Sequence, residues 1–108
     1  MRTLEFKVSE QMITKREGCD FSKIVAGSSG YLRAKFYFLS GSWRDCIKAA
    51  SFWMNGQEHA AVLDENDMCM IPPEALTDRS FHVSVLGIRP ETDYRITTNK
   101  IKVRQEVA

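Results

Sequence analysis

The feature of this sequence that most constrains its fold is an alternation of apolar and polar residues with a period of two. It runs through residues 4–8, 32–38, 81–85 and 94–98. Successive side chains of a strand point to opposite faces, so such a segment places one face in a core and the other in water. The spacing of an amphipathic helix is absent over any dozen residues, and only single helical turns are expected, around PPEAL and SWRDCIK. The pattern predicts an all-β protein.

Turn-forming residues separate the apolar segments at short intervals. Asn55–Gly56 gives the strongest hairpin signal, because both residues tolerate a positive φ. About eight short strands at this spacing predict a β-sandwich, and the short connections predict antiparallel pairing throughout. A chain of 108 residues has room for one hydrophobic core, so we expect a single domain over residues 1–108.

The residues on the inward parity of the strands form the predicted core. They are Leu4, Phe6, Phe36, Phe38, Phe52, Phe81, Val83, Val85, Ile96, Ile101 and Val103.

Charge and composition argue against several classes of protein. A formal net charge of +1 is too small for a protein that binds nucleic acid by electrostatic attraction. Lys100, Lys102 and Arg104 alternate with apolar residues, as expected for the solvent-exposed face of a strand. No run of apolar residues approaches the length of a membrane span, and the charges at Glu5 and Lys7 make us expect no signal peptide in the first residues. Three dispersed cysteines predict reduced thiols, with no disulfide framework and no zinc site. They are Cys19, Cys46 and Cys69.

The segment LDENDMCMIPPEAL, residues 63–76, is the richest in reactive groups. Asp64, Asn66 and Met68 begin the alternate spacing of a calcium loop, but Met68 is not a ligand of the required kind and no glycine follows. Asn and Asp also favour tight turns, because their short side chains bond nearby backbone amides. We therefore predict a turn between two strands, and neither a tightly bound metal nor a cofactor.

The same segment contains the one cysteine worth testing as a nucleophile. Cys69 lies between two methionines and lacks the positive neighbours that lower a thiol pKa. A catalytic thiol also needs a histidine beside it, and the only candidates are His59 and His82. His82 alternates out of the core face with Ser84. We predict that the chain is not an enzyme and has no catalytic residues.

Several motifs recur together in an order that resembles a known family. The stretches FYFLSGSW, KAASFWMNG, VLDENDMCMIPPEAL, FHVSVLG, YRITTN and IKV span Leu32–Val103. In this order they are similar to the N-terminal domain of baseplate and minor tail proteins of phages that infect Gram-positive bacteria. The resemblance implies an immunoglobulin-like β-sandwich that attaches to a virion assembled in a bacterial cytoplasm. Its partners would be other virion proteins, in the baseplate, tail or head, or further copies of itself.

The family pattern also implies the placement of the two tryptophans. Trp43 matches the family's single tryptophan and is expected in the core, and Phe52 matches its inward aromatic residue. On the strand IKAASFWM, Trp53 then points outward. Tyr37 and Leu39 have the outward parity of their own strand and would join Trp53 in one interface patch if the two strands pair. A loop that covers these residues is the other interpretation, and both remain open at this point.

The chain departs from the family pattern by stopping at Ala108, where family members continue. If it is complete, we expect a small accessory piece of a particle; if it is part of a longer chain, host recognition would lie in the remainder. Two other functions are considered. A carbohydrate-binding module could use Trp53, Asn55, Gln57 and Glu58 near one hairpin. A host-side immunoglobulin-like interaction domain is disfavoured by the missing signal peptide.

Overall fold

The alternating segments form nine strands in a computed structural model that describes residues 1–107. The strands are β1 Arg2–Ser9, β2 Met12–Lys15, β3 Leu32–Phe38, β4 Ile47–Met54, β5 Gln57–Val62, β6 Met68–Met70, β7 Ser80–Ile88, β8 Arg95–Thr97 and β9 Ile101–Arg104. Two 3-10 turns, Gly41–Trp43 and Pro73–Ala75, lie at or beside the expected helical turns. The prediction of an all-β sandwich is confirmed.

The first sheet has the strand order β2-β1-β3-β6. Its central pair, β1 and β3, is parallel, with Leu4 opposite Ala34 and Phe6 opposite Phe36. The prediction of antiparallel pairing throughout is wrong for this pair. Residues 16–31 lie between β2 and β3, and that length satisfies the crossover that a parallel pair requires.

The second sheet has the order β5-β4-β7, and both β8 and β9 pair with β7 along its far edge. β9 lies beside the first half of β7 and β8 beside its last residues. Between β8 and β9 the chain bends, and Asn99 there bonds to the β1–β2 hairpin. Its Oδ1 accepts the backbone N–H of Ile13 at 2.8 Å, and its own N–H donates to the Gln11 carbonyl at 3.1 Å. This bend ties the two sheets together.

The inner faces of the two sheets enclose the core. Of the eleven residues predicted there, eight are buried, while Phe38, Ile96 and Ile101 are partly buried and pack against it. Phe38 ends its strand, and the two isoleucines lie on short edge strands, so each has fewer neighbours. The 3-10 turn after β6 adds Ala75 and Leu76, which strand periodicity did not identify.

Trp43 closes one end of this core and is 2% exposed. Its Nε1 donates to the Glu10 carbonyl at 2.9 Å, and its ring centroid lies 5.0 Å from that of Phe38. The ring also lies directly on the backbone of β7 at Gly87, where a Cβ would come within 2.9 Å of it. Trp43 therefore joins the hairpin of the first sheet to the central strand of the second.

Candidate protein-docking surface

The acid-rich segment that follows β5 is a turn. Oδ1 of Asp64 accepts the backbone N–H groups of Asn66 at 2.8 Å and Met68 at 3.0 Å, which is the Asx-turn geometry expected of its sequence. Asp67 has a φ of 58°, and its carboxylate lies 2.7 Å from Nζ of Lys48. Two carboxylates of this segment are thus engaged within the fold. In residues 1–107, no group of three or more His, Cys, Asp or Glu side chains is arranged to hold a metal ion.

Cys69 and the two histidines lie in different sheets. Cys69 lies on β6 at the edge of the first sheet, whereas His59 and His82 lie on β5 and β7 of the second sheet. Burial, with a further contribution from the charge of Asp64, raises the pKa of the Cys69 thiol to about 12. The thiol is therefore protonated at neutral pH and is a weak nucleophile.

The outer face of the first sheet is polar on its central strands, β1 and β3, as alternation predicts, and carries the exposed Met12 and Met70 on its edge strands. Tyr37 lies within it, and its hydroxyl donates to Oε2 of Glu5 at 3.0 Å, a bond that raises the pKa of Tyr37. The guanidinium of Arg16 lies 4.0 Å from the centroid of the Tyr37 ring and pairs with Glu5 at 3.0 Å. Tyr37 is thus surrounded by charged partners from its own sheet.

Tyr37 and Leu39 do not form one patch with Trp53. Tyr37 is on β3, which pairs with β1 and β6, whereas Trp53 is on β4, which pairs with β5 and β7 in the other sheet. The chain changes sheets at the 3-10 turn Gly41–Trp43, so the two strands are consecutive in sequence without being neighbours. Leu39 lies just beyond the end of β3 and is 63% exposed. The two strands do not pair, so the condition under which Tyr37 and Leu39 would join Trp53 in one patch is not met.

The outer face of the second sheet is apolar where alternation calls for polar residues. Ile47 is paired with Ile88, and Ala49 lies between Val62 and Leu86 in the next row of the same face. Ile47 is 52% exposed, Val62 70% and Ile88 39%. We call this surface the outer apolar face; it consists of Ile47, Ala49, Ala60, Val62, Leu86 and Ile88.

Trp53 lies at one end of the outer apolar face and is half-buried. Its Nε1 donates to Oγ of Ser84 at 2.9 Å, and Nζ of Lys100 lies 3.6 Å from its ring centroid. Its neighbours on the adjacent strands are Glu58 and His82, and the Lys100 ammonium lies over its ring. That ammonium occupies the position above the ring that a stacked sugar would take, which counts against the carbohydrate-binding hypothesis.

The sequence prediction found Trp53 and missed the rest of the face. Ile47 was detectable in principle, because it has the same parity as Trp53 on β4. Val62 is paired with Ala49, which also has that parity. The missing information was the neighbour relation between β5, β4 and β7, which brings isolated apolar residues into adjacent rows. Small residues lie between them, with Ser51 and Ser84 paired at the centre.

Comparisons with models of protein families, with curated proteins and with solved structures gave no match. Within residues 1–107, the fold contains no helix with the length and apolar character of a membrane span. Function is therefore inferred from the outer apolar face and from the sequence motifs.

Proposed function

We propose that this chain is a structural protein of a phage particle, in its baseplate, tail or head, and that it makes protein–protein contacts through the outer apolar face. The ordered motifs over Leu32–Val103 support assignment to a phage particle, because they resemble the attachment domain of phage baseplate and minor tail proteins. The β-sandwich architecture agrees with what that resemblance implies. The proposal includes no catalytic residue and no bound metal.

The contrast between the two outer faces carries the proposal. Both sheets expose one face, and the same alternation rule applies to each. The central strands of the first sheet obey it with Glu5, Lys7, Arg33 and Lys35, and its exposed methionines, Met12 and Met70, lie apart on opposite edge strands. The second sheet exposes Ile47, Val62 and Ile88 on three neighbouring strands. Contiguous exposed apolar patches on a soluble protein mark interaction sites. The outer apolar face is therefore the surface that another protein covers.

The shape of the face favours a flat partner. Ala49 and Ala60 have small side chains, so a facing sheet can approach them to the usual distance of about 10 Å. Beside them the Glu58 carboxylate accepts a hydrogen bond from the buried Ser51 hydroxyl. The larger side chains of Ile47, Val62 and Trp53 stand around the two alanines. A second copy of the chain or a β-rich virion protein would fit such a surface.

The test is the amount of this protein in purified particles. We expect Val62→Lys to reduce occupancy strongly, because it places an unpaired charge in the docked face. Trp53→Ala should reduce binding about 30-fold, equivalent to the ~2 kcal/mol typical of a truncated aromatic anchor. Leu39→Lys is the matched control, because Leu39 is an aliphatic residue of similar exposure at an end of the other sheet. Quantitative mass spectrometry of gradient-purified particles measures all three.

Each outcome points to one interpretation. If the Val62→Lys variant is lost from particles while the Leu39→Lys variant is retained, the outer apolar face is supported as the docking surface, provided that circular dichroism shows both variants folded. The opposite result moves the docking surface to the first sheet. Absence of the wild-type protein from particles refutes the proposed function, and saturable binding of cell-wall polysaccharide in its place would support the carbohydrate-binding alternative.

A further inference from the structure

A groove of about 580 Å³ opens beside β9, away from the outer apolar face. Residues 24–26 and the end of the chain are joined by a parallel bridge between Val25 and Glu106. The Glu106 N–H donates to the Ile24 carbonyl at 2.7 Å, and the Ala26 N–H donates to the Glu106 carbonyl at 2.8 Å. On the N-terminal side of this bridge, residues 21–24 and β9 form opposite walls of the groove.

The groove concentrates positive charge in a chain that is nearly neutral overall. It is lined by the cations Lys23, Arg79, Lys102 and Arg104 and by one carboxylate, Glu106. The ion pairs among residues 1–107 are Lys7–Glu17, Arg16–Glu5 and Lys48–Asp67, so the four cations of the groove have no paired carboxylate there. Their charges remain available to a ligand.

Gln105, whose side chain holds a buried hydrogen-bond acceptor, is also among the residues that line the groove. Gln105 is 7% exposed, and its Nε2 donates to the Asp78 carbonyl at 2.8 Å. That bond leaves the side-chain oxygen, Oε1, buried without a donor among the described residues. Buried polar groups are almost always hydrogen-bonded, to protein or to water, so this oxygen can accept a hydrogen bond from a donor that a ligand supplies. The complementary ligand has N–H or O–H groups as well as negative charge.

We propose that this groove binds an extended acidic segment of another protein. Such a segment supplies carboxylates for the cations and backbone N–H groups for Gln105 Oε1. Among residues 1–107, β9 pairs only with β7, so no strand of that part of the chain covers its other edge, and extended peptides commonly bind along such edges. A nucleic-acid backbone fits less well, because its phosphodiesters have no N–H or O–H group to donate to Gln105 Oε1.

The groove lies beside the first residues of β7, where Ser80 pairs with Arg104, whereas the outer apolar face reaches the last residues of that strand at Ile88. Trp53 at the other end of that face and Lys102 of the groove both pair with His82, so Trp53 is the part of the face nearest the groove. Binding in the groove is measured with the purified chain and does not require a particle. Failure of one proposal therefore leaves the other intact.

The test is a titration of the ¹⁵N-labelled chain with a capped octapeptide of alternating aspartate and valine at low salt. We expect saturable shifts of the Arg104 and Gln105 backbone resonances and of the Gln105 side-chain amide. Arg104→Gln should weaken binding by up to about fivefold, as removal of one exposed ion pair does. Arg95→Gln is the matched control, an exposed arginine of the same sheet outside the groove, and it should leave the affinity unchanged. Raising the salt concentration should weaken binding, because it screens exposed charges.

A peptide in which asparagine replaces every aspartate tests whether charge is required. Equal binding of that peptide, equal losses from both arginine variants, or no shift at millimolar acidic peptide would overturn the proposal. If inorganic phosphate shifts the Gln105 amide while the acidic peptide does not, the groove is a site for small anions and the peptide assignment is wrong.

Discussion

Replacing Gly87 with alanine should destabilise the fold, because the backbone of β7 touches the ring of Trp43 at this position. The added Cβ would lie 2.9 Å from Cε3 and Cζ3 of Trp43 and 3.2 Å from Cβ of Cys46. Carbon atoms pack best at about 3.5–4.0 Å, so the ring must retreat by about 0.6 Å or β7 must bend. Glycine is required here for close packing of the two sheets.

The cost depends on how freely Trp43 can move. Its Nε1 is hydrogen-bonded to the Glu10 carbonyl, and its ring packs against Phe38 at 5.0 Å. The ring therefore cannot shift without disturbing the β1–β2 hairpin or the end of β3. An extra methyl group in a core that cannot relax freely costs about 1–3 kcal/mol, and we expect Gly87→Ala to fall in this range.

Chemical denaturation followed by tryptophan fluorescence measures this loss. The midpoint should fall while the slope of the transition stays the same, as expected when stability alone changes. Gly41→Ala is the matched control, since a Cβ at Gly41 meets no atom within 4 Å, and it should change stability by less than about 0.5 kcal/mol. A Gly87→Ala variant as stable as the wild type would refute the close contact between Trp43 and β7.

Three further predictions concern individual side chains. Trp43→Ala should cost about 3–5 kcal/mol, as loss of a buried aromatic does, whereas Trp53→Ala should cost much less; equal losses in a denaturant melt would mean that their environments are misassigned. Asp64→Ala should cost about 1 kcal/mol, like the loss of a helix cap, because two backbone N–H groups lose their acceptor, while Glu65→Ala should have almost no effect. Thermal melts with and without calcium test this, and a calcium-dependent rise would contradict the turn interpretation. In a variant whose only cysteine is Cys69, the raised pKa of that thiol predicts slow alkylation of the folded protein at pH 8, and rapid alkylation would contradict burial of the thiol. The free energy of unfolding should fall as the pH rises from about 8.5, near the pKa of an unfolded cysteine, toward 12.

The strands were predictable because alternation is a local property of the sequence. Phe36, Val83 and Val103 are inward for the same reason that their neighbours are outward. The parallel pairing of β1 with β3 was not predictable in this way, because it depends on the path of residues 16–31, which have no periodicity of their own. The approach of Trp43 to Gly87 likewise joins residues far apart in sequence, and only the packed sheets reveal it.

The candidate surface was predictable in part. The outward parity of Trp53 followed from its strand together with the family pattern, but the identity of its neighbours depended on sheet order. Tyr37 shared the outward parity yet belongs to the polar face of the other sheet, where Glu5 and Arg16 satisfy it. The groove beside β9 has no sequence signature, because its cations come from three separate segments of the chain and its key acceptor is unpaired only in the folded state.

We propose that the outer apolar face docks on another protein in a phage particle. A cryo-EM map of the particle at side-chain resolution tests it most directly. We expect density of a neighbouring protein, or of a second copy of this chain, in contact with Val62, Ile47 and Ile88, with the polar face around Tyr37 exposed to solvent. A map in which the chain is attached through the face around Tyr37 while Val62 faces solvent would contradict the account.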